Sequence, residues 1–107
     1  MIIYNVTVNI DGSIHEEWLS WIKNHIPEVL ATGRFIDARL TKVLVEEEMG
    51  GVTYAIQYRA KSREDLDNYY KFDADKLKRE ALLKFADKML AFRTELEIID
   101  EYFVTHN

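Results

Sequence analysis

His25 stands four residues after Trp21 and seven after Trp18, a spacing that sets one imidazole and two indoles along one side of a helix. A histidine placed there can move a proton near neutral pH, and Trp21 beside it can hold a planar ligand. The same histidine has a structural use, because near a helix end it can bond free carbonyls. Trp18 and Trp21 likewise serve as core residues in any amphipathic helix. His15 falls in the first helical turn, where solvent is expected, and His106 lies in the tail. Three histidines so separated lack a ligand spacing such as His-x-x-x-His, so no metal site is expected.

A second set of residues comes from strands whose alternate positions are polar. Asn5, Thr7 and Asn9 interleave with apolar residues early in the chain, as do Thr53, Gln57 and Arg59 in the middle and Arg93, Glu95 and Glu97 near the end. An arginine grips a carboxylate or phenolate by two points, and Gln57 can fix a carbonyl. Arg59, Arg93, Gln57 and Glu95, with Asn5 and Thr7, are therefore candidate ligand-binding residues, and His25 is the candidate acid or base. The structural reading of the same face is a solvated surface, or arginine–glutamate pairs that set the register between two copies.

These side chains need elements to position them. Ile2, Tyr4, Val6, Val8 and Ile10 alternate with Ile3, Asn5, Thr7 and Asn9, the period-two mark of a half-buried strand. Asp11-Gly12 turns the chain, and Ser13 with Glu16 reads as a capping box. Ile14, Trp18, Trp21, Ile22, His25, Ile26 and Val29 then form one helical stripe. Pro27 lacks an N–H and predicts a kink or restart, while Gly33 suits the left-handed cap. A second strand spans about Phe35 to Glu47, with Ala38, Leu40 and Leu44 toward the core. Gly50-Gly51 predicts a hairpin, with Glu46, Glu47 and Glu48 at its tip.

Val52, Tyr54, Ile56, Tyr58 and Ala60 mark a third strand, and Ser62 with Asp65 a helix start. Leu66, Tyr70, Leu77, Ala81, Phe85 and Met89 follow at helical spacing, interrupted at Phe72-Asp73-Ala74-Asp75, which predicts a short helix and then a longer one. Glu80 with Lys84 and Asp75 with Arg79 match surface ion pairs. In the last strand Phe92, Leu96 and Ile98 take the core parity, with Arg93, Glu95 and Glu97 opposite. Strand-helix-strand twice over is the ferredoxin-like βαββαβ arrangement, an α+β fold whose antiparallel sheet has helices on one side only. The other side is expected to be polar.

The 107 residues fit one domain, 1–107, with 48% hydrophobic and 31% charged residues. Nineteen acidic against fourteen basic residues leave a net charge of −5, which opposes non-specific nucleic-acid binding. RNA-recognition domains of the same element order stack bases on aromatics of the third strand, where this chain has Thr53, Ala55 and Gln57. Cysteine is absent, so disulfides and thiolate chemistry are excluded. No apolar run approaches the ~20 residues of a membrane span, and the chain opens directly into a strand, so a cytoplasmic protein is expected. Phosphate loops, nucleophile elbows and dinucleotide fingerprints are absent, and nothing specifies a cofactor.

Met1-Ile2-Ile3-Tyr4-Asn5, Trp18-Leu19-Ser20-Trp21, His25-Ile26-Pro27 and Thr32-Gly33 carry a resemblance, continued by Tyr54-Ala55-Ile56-Gln57-Tyr58 and Ala91-Phe92-Arg93-Thr94. In these stretches the chain resembles a bacterial family of domains of unknown function in the dimeric α/β-barrel superfamily, which includes antibiotic-biosynthesis-monooxygenase-like proteins. The resemblance implies a homodimer with two sheets facing across a shared interior. Members of that superfamily include cofactor-free monooxygenases, haem-degrading enzymes, isomerases and small-molecule sensors, so it implies no single activity. Two readings follow. One is a homodimer that binds a small organic molecule in a polar interior, with or without catalysis. The other is a structural or partner-binding module with its arginines mutually paired and no such site.

Overall fold

Alternation over nine residues produces β1, Ile2–Ile10, and the whole structure is built around that strand. The structure is a computed structural model and describes residues 1–45 and 50–105. The acidic tip Glu46, Glu47 and Glu48 and the tail residue His106 lie outside the described residues.

After β1, Asp11 rather than Ser13 closes the turn. Its Oδ1 accepts from the Ser13 N–H at 2.9 Å and from the Ser13 hydroxyl at 2.7 Å, so Ser13 is the donor and not the cap. A single 3-10 turn, Gly12–Ile14, leads into α1, His15–Leu30. The expected restart at Pro27 does not occur, and α1 runs through it to Leu30. Proline forfeits one backbone bond, but Trp18, Ile22 and Val29 are buried along the predicted stripe and hold the helix against the sheet. Gly33, at φ 78°, ends the segment as expected.

The second strand, β2, is shorter than its apolar pattern suggested and spans Asp37–Lys42. Ala38 and Leu40 pack against the core, whereas Leu44 lies beyond the strand and is exposed. β3, Val52–Ala60, buries Tyr54, Ile56, Tyr58 and Ala60. Ser62 accepts from the Asp65 N–H at 3.2 Å and starts α2, Arg63–Phe72. The chain breaks at Asp73 and continues as α3, Ala74–Phe85, which gives the short and longer helices expected. Tyr69, not Tyr70, is the buried tyrosine of α2. A further 3-10 turn, Ala86–Lys88, connects to β4, Met89–Glu97, so Met89 belongs to the strand and not to the helix.

The strands form one antiparallel sheet in the order β2-β3-β1-β4, the ferredoxin-like arrangement. The β1–β4 ladder corrects the expected facing of the last strand. Arg93 pairs with Val6 and Glu95 with Tyr4, and directly opposed residues share a face, so both charged groups lie on the helix side. Phe92 opposes Thr7 and Leu96 opposes Ile3, which puts these apolar groups on the open side. The register is set where β4 begins. There Met89 and Ala91 oppose Ile10 and Val8 and pack against the core, and a nine-residue ladder carries that parity to the end.

Candidate functional site

The core is mostly aromatic. Near the start of β1, Tyr4 lies against Phe35, Tyr58, Tyr69 and Tyr70, with ring centroids 5.7–6.1 Å apart. Near its end, Trp18 packs on Tyr54 at 5.0 Å, and His15 joins the same group through a 2.6 Å hydrogen bond to the Tyr54 hydroxyl. His15 was expected in solvent, but Tyr54 lies within reach and ties the first turn of α1 to β3.

A cavity of about 60 Å³ lies between the helices and the sheet. Tyr4, Tyr58 and Tyr69 line it from one end, Trp18, Trp21 and His25 from α1, and Lys78 and Arg93 from α3 and β4. A water needs roughly 10–15 Å³ of such space, so the cavity holds several waters or a small organic group. Trp18 is fully buried, and its indole N–H has no acceptor among the described residues. A buried donor without a partner is costly, and a polar guest or water in the adjoining cavity would relieve it.

The electrostatics of the wall favour an anion. Burial pushes the Tyr4 hydroxyl up, and the nearby Arg93 guanidinium acts the other way. Burial also raises Tyr58 and Tyr69, so all three phenols remain protonated donors. Lys78 is pushed down by burial first and then by the neighbouring Arg93. Two cations held beside a partly dry cavity attract a carboxylate or phenolate.

His25 stacks on Trp21, with ring centroids 4.3 Å apart and planes 19° apart. Burial lowers its pKa below the ordinary 6.5, and Glu28 acts weakly in the opposite sense. Trp21 in turn meets Phe85 edge to face at 5.3 Å. The helical spacing read from the sequence therefore does place His25 and both indoles in one cavity wall.

The remaining candidates divide between two faces. Asn5, Thr7, Gln57 and Arg59 stand on the open side. There Arg59 is bound to Asp37 by two hydrogen bonds, one of them from Nε to Oδ1 at 3.3 Å. Asn5 donates to Thr7 at 3.1 Å. Arg93 and Glu95, on the helix side, part company: Arg93 meets Tyr4, while Glu95 is held by Arg63 and the Tyr70 hydroxyl. Lys78, Tyr4, Tyr58 and Tyr69 line the cavity although the sequence pattern does not mark them. The tyrosines read as core from their parity, and a lysine on an amphipathic helix carries no signal for a cavity.

Residues 1–99 match the model of a family described as a domain of unknown function, DUF4286. The chain belongs to that family. No functionally curated protein matches this DUF4286 chain. Among solved structures it is similar to a dimeric ferredoxin-like protein from an uncultured marine organism. That match has 11% identity and a TM-score of 0.75, covering 94% of this chain and 97% of the other. It is similar to a protein of the ethyl tert-butyl ether d (ethd) family from Bacillus halodurans C-125, with 17% identity, a TM-score of 0.67 and coverage of 92% and 100%. A provisionally assigned antibiotic biosynthesis monooxygenase from Deinococcus radiodurans shares 12% identity at a TM-score of 0.59, with coverage of 99% and 100%. At these identities the likeness establishes the ferredoxin-like fold and nothing further.

Proposed function

We propose that this DUF4286 protein is a homodimer that binds a small organic anion, such as a carboxylate the size of formate or acetate, in the cavity between its helices and its sheet. The observation that carries this reading is the lining. Flat aromatic walls, phenol and indole donors, and the cations of Arg93 and Lys78 converge on one space. This site replaces the expected interior between facing sheets as the place for the ligand, because Arg59 on the open face is engaged by Asp37 whereas Arg93 borders the cavity. His25 in the same wall is the group that would accept or donate a proton if the bound acid is transformed.

The dimer rests on the open side. Leu90, Phe92 and Leu96 of β4 are 58%, 59% and 43% exposed there, and Ile99, Tyr102, Phe103 and Val104 beyond the strand are more exposed still. A second copy is the simplest cover for such a strip.

The test is an NMR screen of ¹⁵N-labelled protein against a panel of short-chain carboxylic acids and their neutral amides. Binding of an acid should shift the Trp18 indole N–H and be lost in Arg93→Leu. Hits that leave Trp18 unmoved, or that bind Arg93→Leu equally well, would sink the assignment. A panel without hits would favour the module that has no small-molecule site.

A further inference from the structure

Beside the cavity, which His25 also lines, α1 and α3 bring three potential ligands to one point. His25 and Glu28 are three residues apart on α1 and so share a face, and Glu80 approaches from α3. His25 Nδ1 lies 3.9 Å from Glu28 Oε2 and 3.6 Å from Glu80 Oε2, and the three ligand atoms are all within 4.8 Å of one another. We propose that His25, Glu28 and Glu80 form a divalent-metal site of the zinc type that clamps α1 to α3.

The spacing fits such an ion. Zinc holds nitrogen and oxygen ligands at about 2.0–2.2 Å, which places tetrahedral ligand atoms about 3.3–3.6 Å apart. The His25–Glu80 pair already has that separation, and Glu28 needs only a small side-chain adjustment. A second observation comes from the imidazole itself. The His25 side chain is only 11% exposed, and its Nδ1 is buried without a hydrogen-bond partner among the described residues. At 3.6 and 3.9 Å the carboxylates are too far to bond it directly, yet an ion between them would satisfy all three.

The surroundings leave these acids available. Lys84, expected to pair with Glu80, instead reaches Glu17 at 3.6 Å. Arg34 holds Asp73 at 3.0 Å, and Lys76 stands at the rim of the surface concavity that Glu28 and Glu80 border. Glu28 and Glu80 are 58% and 39% exposed, which provides the entry path and leaves room for a water as fourth ligand. Trp21, stacked on His25, sits within reach of any quenching ion held there.

The experiment uses chelator-treated full-length protein in a His106→Gln background, so that the tail histidine does not contribute. Zn²⁺ alone is titrated calorimetrically, and Co²⁺ is followed by its visible absorption and by quenching of tryptophan emission. One equivalent of Zn²⁺ per chain is expected, with a melting temperature that rises with its concentration. Co²⁺ quenching should vanish in Trp21→Phe, which retains Trp18. Glu80→Gln and Glu28→Gln should each weaken Zn²⁺ at least tenfold, and, as surface changes, leave the metal-free melting temperature unchanged. Saturable binding absent up to millimolar Zn²⁺, or undiminished in the Glu28→Gln, Glu80→Gln double variant, would overturn the site. His25 also lines the anion cavity, but anion binding is read separately at the Trp18 indole in metal-free protein, so failure of one reading is distinguishable from failure of the other.

Discussion

Arg63, on the first turn of α2, grips Glu95 near the end of β4 through both carboxylate oxygens, at 2.8 and 3.0 Å. The Arg63 guanidinium and then the Tyr70 hydroxyl hold the Glu95 carboxyl down at about 2, against an ordinary value of 4.5. A carboxylate with a depressed folded pKa stabilises the fold above its unfolded value and loses that contribution as pH falls through the folded one. Stability should therefore decline between about pH 4.5 and 2 in part through this pair. Both groups are substantially exposed, so the pair's contribution is small and smaller still in high salt. Urea unfolding of wild type and Glu95→Gln should differ at pH 6 and converge at pH 2; an equal difference at both would show that the pair does not titrate as described.

Two backbone positions should respond oppositely to glycine and alanine. Gly51 has φ 83°, and a Cβ there would lie 2.7 Å from the Ile10 carbonyl oxygen. Gly51→Ala should cost about 1–3 kcal/mol. Ala86 holds φ 44° between α3 and β4 without being a glycine. Ala86→Gly should relieve that strain and raise stability by up to about 1 kcal/mol, despite the looser unfolded chain. Melting temperatures moving in the same direction for both variants would contradict these conformations.

Trp18 separates packing from hydrogen bonding. Trp18→Ala should cost about 3–5 kcal/mol, because a fully buried indole is removed. Trp18→Phe removes an N–H that has no protein acceptor among the described residues, so less than about half of that loss is expected. Chemical denaturation of the two variants measures the ratio. A phenylalanine variant as unstable as the alanine one would mean that the indole N–H is bonded in solution.

Phe92 tests the proposed dimer face. A stable dimer commonly buries about 800 Å² per partner, and Leu90, Phe92 and Leu96 of the edge strand β4 are exposed on the open side. Light scattering should give a dimer mass for wild type and a monomer mass for Phe92→Glu. A wild-type monomer would remove the second copy, and a dimeric Phe92→Glu would move the interface off β4.

Much of the fold was legible because each strand and helix repeats its own period. Ile2–Ile10 and Val52–Ala60 alternate cleanly, and the stripe from Ile14 to Val29 buries Trp18, Ile22 and Val29 and half-buries Ile14, Trp21, His25 and Ile26. The capping pattern at Ser13 misleads, because Asp11 two residues earlier offers a better acceptor to the same backbone. β2 was overextended, since the apolar run through Leu44 continues past the ladder with β3.

The sequence by itself determined the element order, the one-sided helix layer and the grouping of Trp18, Trp21 and His25, because these depend on short-range periodicity. Tertiary structure alone decided which way β4 faces. Phe92 and Leu96 are apolar and Arg93 and Glu95 charged, so burial preference pointed the strand one way. The ladder from Ile10–Met89 to Ile2–Glu97 turned it the other. A period-two pattern states that two faces differ but not which meets the helices, and that choice is made by register with β1. That long-range pairing brought Arg93 to Tyr4, and the packing of α1 on α3 brought Glu80 to His25, contacts between residues so distant in sequence that no local pattern announces them.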